Sequence, residues 1–409
     1  MNNIGLFLVS ITTGRLSNIL GSKLIKVATI FGTRPEAIKL APVIQEMVRS
    51  EDIDPVVIVT GQHREMLDQA LDVFDIVPDI DLDLMKEDSD LIDNTSLFIK
   101  SIGEKISGLG LDYIVVQGDT TSAFIASLVA FYLKIPVGHV EAGLRSHDKE
   151  QPFPEEVNRR LISVVADHHF APTKLAKANL INEGVKFDDV FLTGNPIIDS
   201  LEMILASNEK VPQDLGLDLN NGRSWILVTA HRRENWGKPL EDICRSINSI
   251  IRTHADVEII FPVHLNPMVK AEIDLSISDD PRIHLLPPLK YSTFIQIMNR
   301  SSLILTDSGG IQEEAVSLSK DVLVMRDVTE RKEAVDIGIA ELVGSNPYAI
   351  TEAVTRLLNS SKKERSKSEI KNPYGDGGAA KRIVSIISYY GSKMLATDLD
   401  QEDLLERIV

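Results

Sequence analysis

Cysteine is nearly missing: the 409 residues hold one, Cys244. That excludes a disulfide framework and a cysteine-based zinc site. The surrounding LEDICRSINSII has the spacing of an apolar helix face, so the thiol belongs in a core, and a reducing compartment fits this usage. Long hydrophobic runs are missing as well. No run after residue 25 is long and apolar enough to span a bilayer. Gly5 to Ile11 is a short apolar run with no basic residue before it and no clear cleavage pattern after it. Residues 1–25 therefore read as a poorly ordered N-terminal tail rather than a signal peptide. Positive charge is in deficit: 43 Lys and Arg face 60 Asp and Glu, for a net charge of −17. This argues against nucleic acid or an anionic membrane as partner. No glycine-rich dinucleotide fingerprint follows the first strand, where Gly32 stands alone, which argues against NAD. His63, His139, His147 and His264 are scattered, no His-Glu-x-x-His spacing occurs, and His168-His169 sit in a strand. Neither a metal nor a redox cofactor is expected.

What is present is ordinary for a globular protein, with 43% hydrophobic and 25% charged residues. The length exceeds one typical core and predicts two domains. Buried strands are predicted at Lys26–Phe31, Val56–Val59, Tyr113–Val116, Pro136–Val140, His168–Ala171 and Val190–Thr193, separated by helical patterns. A second series begins near Ser224, with strands at Trp225–Thr229, Glu258–Val263, Leu303–Leu305 and Val322–Met325. Strands alternating with helices mean parallel sheets covered on both faces. The predicted fold is α/β, two doubly wound domains with the active site in the cleft between them. The expected division is a tail at 1–25, an N-terminal domain at 26–195 and a C-terminal domain at 196–377. The last helix, 378–400, should pack back on the N-terminal domain. In such sheets ligands bind outside the carboxyl ends of the strands. Arg34, Asp119, Glu141, His231, His264 and Ser308 all collect at those ends.

The stretch Thr306 to Arg331 carries most of the chemistry. Asp307-Ser308-Gly309-Gly310 lies between an apolar strand and a helix. Two glycines let backbone approach a ligand, and a helix start offers unpaired N–H groups and a positive dipole end. That is a seat for a diphosphate. Glu313 and Glu314 follow one turn later, where a carboxylate can accept ribose hydroxyls, and Arg331 adds a fixed positive charge. Asp119, Glu141 and the Glu155-Glu156 pair are the acids, and acids facing one another in a cleft can be driven to different pKa values. Each has a plain alternative. Asp119 could only cap a helix at Thr120. One of Glu155 and Glu156 could only stabilise a first turn. One of Arg232 and Arg233 could only pair at the surface.

The segments FGTRPEAIKLAP, TGQHREMLDQ, QGDTTSAFIASL, PVGHVEAGLRS, PFPEEVNRRL, TAHRREN, FPVHLNP and TDSGGIQEEAVSL…VMRDVTERKEAV resemble the non-hydrolysing UDP-N-acetylglucosamine 2-epimerases. The resemblance runs in one order from about Lys26 to Gly377. It implies a GT-B-like fold of two Rossmann-like domains, a homodimer, and a cytoplasmic enzyme that needs no cofactor. The implied reaction interconverts UDP-N-acetylglucosamine and UDP-N-acetylmannosamine through elimination of UDP, supplying cell-envelope or capsular polysaccharide. By the same resemblance Asp119, Glu141 and Glu155 match the acid/base carboxylates and His231 the catalytic histidine. Glu314 matches the ribose-binding glutamate, and Lys39 a lysine that supports the site. Arg34, Arg232, His264, Ser308, Gly309, Gly310 and Arg331 complete the substrate-binding set. Some members bind a second UDP-N-acetylglucosamine as activator, and Gln62 stands where one of its glutamines lies. Glu65 replaces another.

Three other functions share parts of this pattern. A hydrolysing 2-epimerase would release free N-acetylmannosamine. A GT-B glycosyltransferase would share the UDP seat but have no use for three acids around the sugar. A nucleotide-sugar sensor would keep the fold without the acids, and here all three are present.

Overall fold

The computed structural model describes residues 24–61, 64–84, 90–207, 209–218, 221–230, 232, 235–263, 266–329, 331–360 and 372–395. The expectations for residues 1–23, for Gln62, His231 and His264, and for the charged segment 361–370 lie outside them.

The first half runs β1 (Ile25–Phe31), α1 (Arg34–Arg49), β2 (Ile53–Val59), α2 (Arg64–Val73), β3 (Ile80–Asp81), α3 (Leu91–Ile106), β4 (Tyr113–Gln117), α4 (Thr121–Tyr132), β5 (Val137–Val140), α5 (Glu155–Val165), β6 (His168–Ala171), α6 (Lys174–Asn182) and β7 (Val190–Leu192). Helix α7 (Pro196–Ala206) then leads to the second half. This runs β8 (Ser224–Thr229), α8 (Lys238–Thr253), β9 (Val257–Pro262), α9 (Pro267–Ser276), β10 (Ile283–Leu286), α10 (Tyr291–Arg300), β11 (Leu303–Thr306), α11 (Gly309–Ser317), β12 (Asp321–Val324), α12 (Lys332–Asp336), β13 (Ala340–Leu342), α13 (Pro347–Asn359) and α14 (Ala379–Leu395).

Among the described residues these strands form two sheets. The first has the order β3-β2-β1-β4-β5-β6-β7 and the second β10-β9-β8-β11-β12-β13. Every pairing is parallel, as in β1 with β4 and β8 with β11. Such strands are covered on both faces, which explains why they read as continuous apolar runs rather than alternating ones. In each sheet the strand order reverses at one point, between β1 and β4 and between β8 and β11. A crevice opens at the carboxyl ends there. The segments after those four strands are Gly32–Arg34, Gly118–Thr120, Ala230–Arg232 and Asp307–Gly310. Two Rossmann-like sheets facing each other in this way make a GT-B-like architecture.

Strand β2 begins three residues before the predicted Val56 and holds Pro55 within it. Proline lacks the N–H that a central strand needs. Here Pro55 pairs with Val27 on one side, while on the other β3 pairs only with Ile58 and Val59. Pro55 therefore lies on an open edge and costs no ladder bond.

The halves also share apolar packing. Helix α7 touches α1 and α14 on one side and α10 and α11 on the other. One buried apolar cluster runs through it, from Val27 and Leu40 by way of Ile197 and Leu201 to Ile295 and Ala315. Helix α14 returns to pack on α1 and β1. Cys244 is buried, as its helical setting predicts, and burial pushes its thiol up to about 12.

Candidate active site

The carboxyl ends of β4 and β5 and the start of α5 bring the three predicted acids to one side of the cleft. Helix α4 is capped by Thr120, whose hydroxyl accepts from the Ala123 N–H at 3.0 Å. Asp119 is thus not the cap, and its side chain is 26% exposed at the cleft wall. The Arg159 guanidinium pairs with it, with Nε at 3.0 Å from Oδ2. Glu155 and Glu156 divide their roles as one helix turn dictates. Glu156 is fully buried and accepts from the Ser146 and His147 N–H groups at 3.0 and 3.3 Å. Glu155 lies nearer the cleft. Its Oε2 is buried and has no hydrogen-bond partner among the described residues. Burial raises the Glu155 pKa, and the charge of Asp119 adds to the rise.

Glu141 follows β5 with a φ of 64°, in the left-handed region that a non-glycine residue seldom adopts. Strain of this kind concentrates at functional sites and needs surroundings that enforce it. The surroundings here are donors. Lys39 Nζ lies 2.6 Å from both Glu141 oxygens, Gln117 donates to Oε2, and Asn195 and Arg331 donate to Oε1 at 3.2 and 3.3 Å. Burial pushes the carboxyl up, but the Lys39 and Arg331 charges outweigh it and hold the pKa below the usual range.

The second domain contributes the opposite wall. Helix α11 opens at Gly309 with Ser308 as N-cap, and the Ser308 side chain makes no capping bond. A Cβ added to Gly310 would meet nothing within 4 Å, so protein packing does not demand that glycine. The open space beside a helix N-terminus is where an anion fits. Glu314 is buried and accepts from the Tyr291 hydroxyl at 2.8 Å. Burial raises its pKa to about 7, which the Tyr291 bond only partly opposes. Arg34, at the start of α1, reaches across and donates to the Leu289 carbonyl at 3.2 Å. Burial lowers the Arg34 pKa against the pull of Glu314. The Arg232 N–H and the Asn235 amide both donate to Asp307 Oδ2, at 2.9 and 3.0 Å. This joins the ends of β8 and β11.

Arg331, expected to add a fixed positive charge, is buried in an ion network between the domains. Its Nε donates to Glu313 Oε1 at 2.8 Å and its Nη2 reaches Glu141. Gln312 and Thr329 shape the approach. The Thr329 hydroxyl donates to Gln312 Oε1 at 3.0 Å and accepts from the Arg331 N–H at 3.1 Å. Burial raises the Glu313 pKa, opposed by Arg331.

Two further residues take roles that the sequence did not assign. One is Glu313, expected beside Glu314 as a carboxylate for the ribose hydroxyls and found instead on Arg331 and Asn195. The other is Asn195, whose amide donates to Glu141 and, at 2.6 Å, to Glu313 Oε2. Its backbone N–H donates to the Tyr374 carbonyl at 2.7 Å, so one residue ties both chain crossovers to both carboxylates. Gly194-Asn195-Pro196 is legible as a helix start. The partners lie 54 and 118 residues away, beyond any local pattern.

The fold and the cleft together define a GT-B-like enzyme. A family model described as UDP-N-acetylglucosamine 2-epimerase matches residues 45–388. The UDP-N-acetylglucosamine 2-epimerase of Bacillus subtilis (strain 168) is 46% identical over 370 residues, 90% of this chain and 97% of that protein. The enzyme of that name from Escherichia coli (strain K12) is 45% identical over 368 residues, 88% of this chain and 98% of that protein. The crystal structure of UDP-GlcNAc 2-epimerase from Neisseria meningitidis bound to UDP-GlcNAc is similar with a TM-score of 0.84. It is 44% identical, and the match covers 89% of this chain and 99% of that one. The chain belongs to the UDP-N-acetylglucosamine 2-epimerase family and is an isomerase.

Proposed function

We propose that the protein interconverts UDP-N-acetylglucosamine and UDP-N-acetylmannosamine without net hydrolysis. The observation that carries this is the pairing of two walls across one cleft. Asp119 and Glu155 stand on one side, and the open N-terminus of α11 with Glu314 stands on the other. The C2–H of the sugar is not acidic, so simple proton removal has too high a barrier. In the proposed path Asp119 and Glu155 are the proton-transferring carboxylates at C2. One carboxylate takes the C2 proton, the C2–H electron pair becomes the C1=C2 double bond, and UDP leaves with the electron pair of the broken C1–O bond. Protonation of the 2-acetamidoglucal on the other face of C2, with return of the UDP oxygen to C1, gives the epimer.

Ser308, Gly309 and Gly310 would hold the departing diphosphate with backbone N–H groups, and Arg34, Arg232 and Arg331 would add charge. Stabilising that charge where it develops is commonly the largest catalytic term. Glu314 would accept the ribose hydroxyls. Lys39 would keep Glu141 ionised beneath the sugar. His231 and His264 are assigned by resemblance alone, as catalytic and substrate-binding residues, and Gln62 as part of a second, activating nucleotide-sugar site.

We assign the domains to 26–195 with α14, described over Ala379–Leu395 of the expected 378–400, and to 196–377. The membership of strands in the two sheets and the packing of α14 on α1 support this. A homodimer has support from α5. That helix buries Glu156, Arg159 and Ile162, yet exposes Val157, Leu161 and Val164 at helical spacing, with Phe131 and Tyr132 exposed at the end of α4 beside it. Sedimentation is expected to give twice the 45.2 kDa chain mass, and Val164→Asp to shift the protein toward monomer. A monomeric wild type would remove the assignment. No described helix is long and apolar enough to cross a membrane. By resemblance to the family, the proposed reaction runs in the cytoplasm and feeds cell-envelope or capsular polysaccharide. Anion-exchange separation of products tests the reaction. A new UDP-sugar should reach a constant ratio with the first, and stoichiometric release of UDP would overturn the proposal.

A further inference from the structure

The PFPEEVNRRL segment supplies Glu155 to the cleft, and four residues later it supplies Arg159, which has no role in the path above. Arg159 is 5% exposed and sits between two acids. Its Nη1 donates to Glu156 Oε2 at 3.1 Å. Its Nε and Nη2 both donate to Asp119, and both to the same oxygen, Oδ2. Among the described residues Oδ1 has no hydrogen-bond partner. A second grip accompanies the first: Asn158 Nδ2 donates to the Asp119 carbonyl at 3.0 Å. One turn of α5 therefore fixes the Asp119 turn by side chain and by main chain.

The anchor beneath is rigid. Glu156 is buried and held by two backbone N–H groups of the loop after β5. A purely structural arginine in the same domain looks different. Arg145 forks onto Glu183 and uses both carboxylate oxygens, Nε to Oε1 at 2.9 Å and Nη2 to Oε2 at 2.7 Å. That is the geometry of an arginine–carboxylate pair built for its own sake. Arg159 instead occupies one oxygen of a partly exposed carboxylate and leaves the other to the cleft.

We propose that Arg159 is a positioning residue for the epimerisation, holding Asp119 by Oδ2 so that Oδ1 meets the sugar C2 hydrogen. Arg159 itself exchanges no proton. The proposal rests on the role given to Asp119 above. Glu155 has no such partner: it sits one turn before Arg159 on the same helix with an unpaired buried oxygen. The two carboxylates thus reach the sugar with different supports, one fixed by a guanidinium and one free to turn.

The test uses the full chain carrying Arg159→Ala, Arg159→Lys or Asp119→Asn, with turnover of UDP-N-acetylglucosamine and affinity for UDP both measured. Arg159→Ala should lower kcat by roughly 100-fold, the scale of a misplaced reacting group, while UDP affinity stays within about threefold. Millimolar methylguanidinium should restore part of that kcat and do nothing for Asp119→Asn. Arg159→Lys should retain UDP binding but recover little turnover, because an ammonium cannot span Glu156 and Asp119 as a guanidinium does. Wild-type turnover in Arg159→Ala with loss in Asp119→Asn would overturn the proposal and leave the reaction intact. Joint loss of turnover and UDP binding in both Arg159 variants, without rescue, would make Arg159 a structural residue and also overturn it. Wild-type turnover in Asp119→Asn would remove the role of Asp119 and this proposal with it.

Discussion

Asp119→Asn is expected to lower kcat by about 10³-fold, within the range for loss of a general base or acid, and to leave UDP affinity close to wild type. The expectation follows from where Asp119 stands. Thr120 performs the capping that Asp119 might otherwise be kept for, so the carboxylate has no helical duty to lose. Its backbone carbonyl, gripped by Asn158, is unaffected by the substitution. An asparagine keeps the shape and one acceptor for Arg159 but can no longer take a proton. The proposed diphosphate and ribose seats lie on the other domain, around α11. A variant that binds UDP normally and does not turn over would therefore isolate the chemistry. Equal turnover in variant and wild type would show that Glu155 or Glu141 performs both proton transfers.

Arg331→Ala is expected to destabilise the fold by about 3–5 kcal/mol, the cost of stripping one partner from a buried ion network, and to weaken UDP binding as well. Arg331 is 7% exposed, and Glu141 and Glu313 are as buried as it is. Lys39 pairs with Glu141 at 2.6 Å, so Glu313 bears most of the loss. Adding Glu313→Gln to Arg331→Ala should then recover part of the stability, since the uncompensated charge is removed. A coupling of roughly 0.5–3 kcal/mol is the scale for groups in one network. UDP affinity should stay low in the double variant, by about 10- to 100-fold for a lost charge-assisted hydrogen bond. Thermal or denaturant unfolding beside UDP titration reads the two effects separately. Recovered stability with wild-type UDP affinity would remove Arg331 from the diphosphate site and leave it a strut between domains.

The fold was largely legible because its strands are short apolar runs bounded by glycine, proline and polar turns, and because their alternation with helices permits only parallel sheets. The polar residues at strand ends were legible for the same reason: topology places them at the crevice. What local pattern could not reach is which acid pairs with which base. Arg331 and Glu141 are 190 residues apart, and Arg159 and Asp119 are 40 apart. Glu313 and Glu314 are neighbours in sequence yet serve different walls. Glu313 turns inward to Arg331 and Asn195, and Glu314 meets Tyr291. A helix turns about 100° per residue, so adjacent carboxylates diverge, and only tertiary packing decides which one meets a ligand. Glu155 and Glu156 divide in the same way, one to the cleft and one to the core. Asn195 was hidden for a further reason. Its cap role accounts for it fully at the level of local structure, so nothing in the sequence asks for a second function.

The central claim is reversible loss and return of UDP with proton exchange at C2. Proton NMR of the purified protein with UDP-N-acetylglucosamine in heavy water tests it most directly. The expected result is UDP-N-acetylmannosamine carrying deuterium at C2, with no net loss of UDP-sugar. Free N-acetylmannosamine with an equal amount of UDP, or an unchanged UDP-N-acetylglucosamine spectrum with its C2 proton retained, would contradict it.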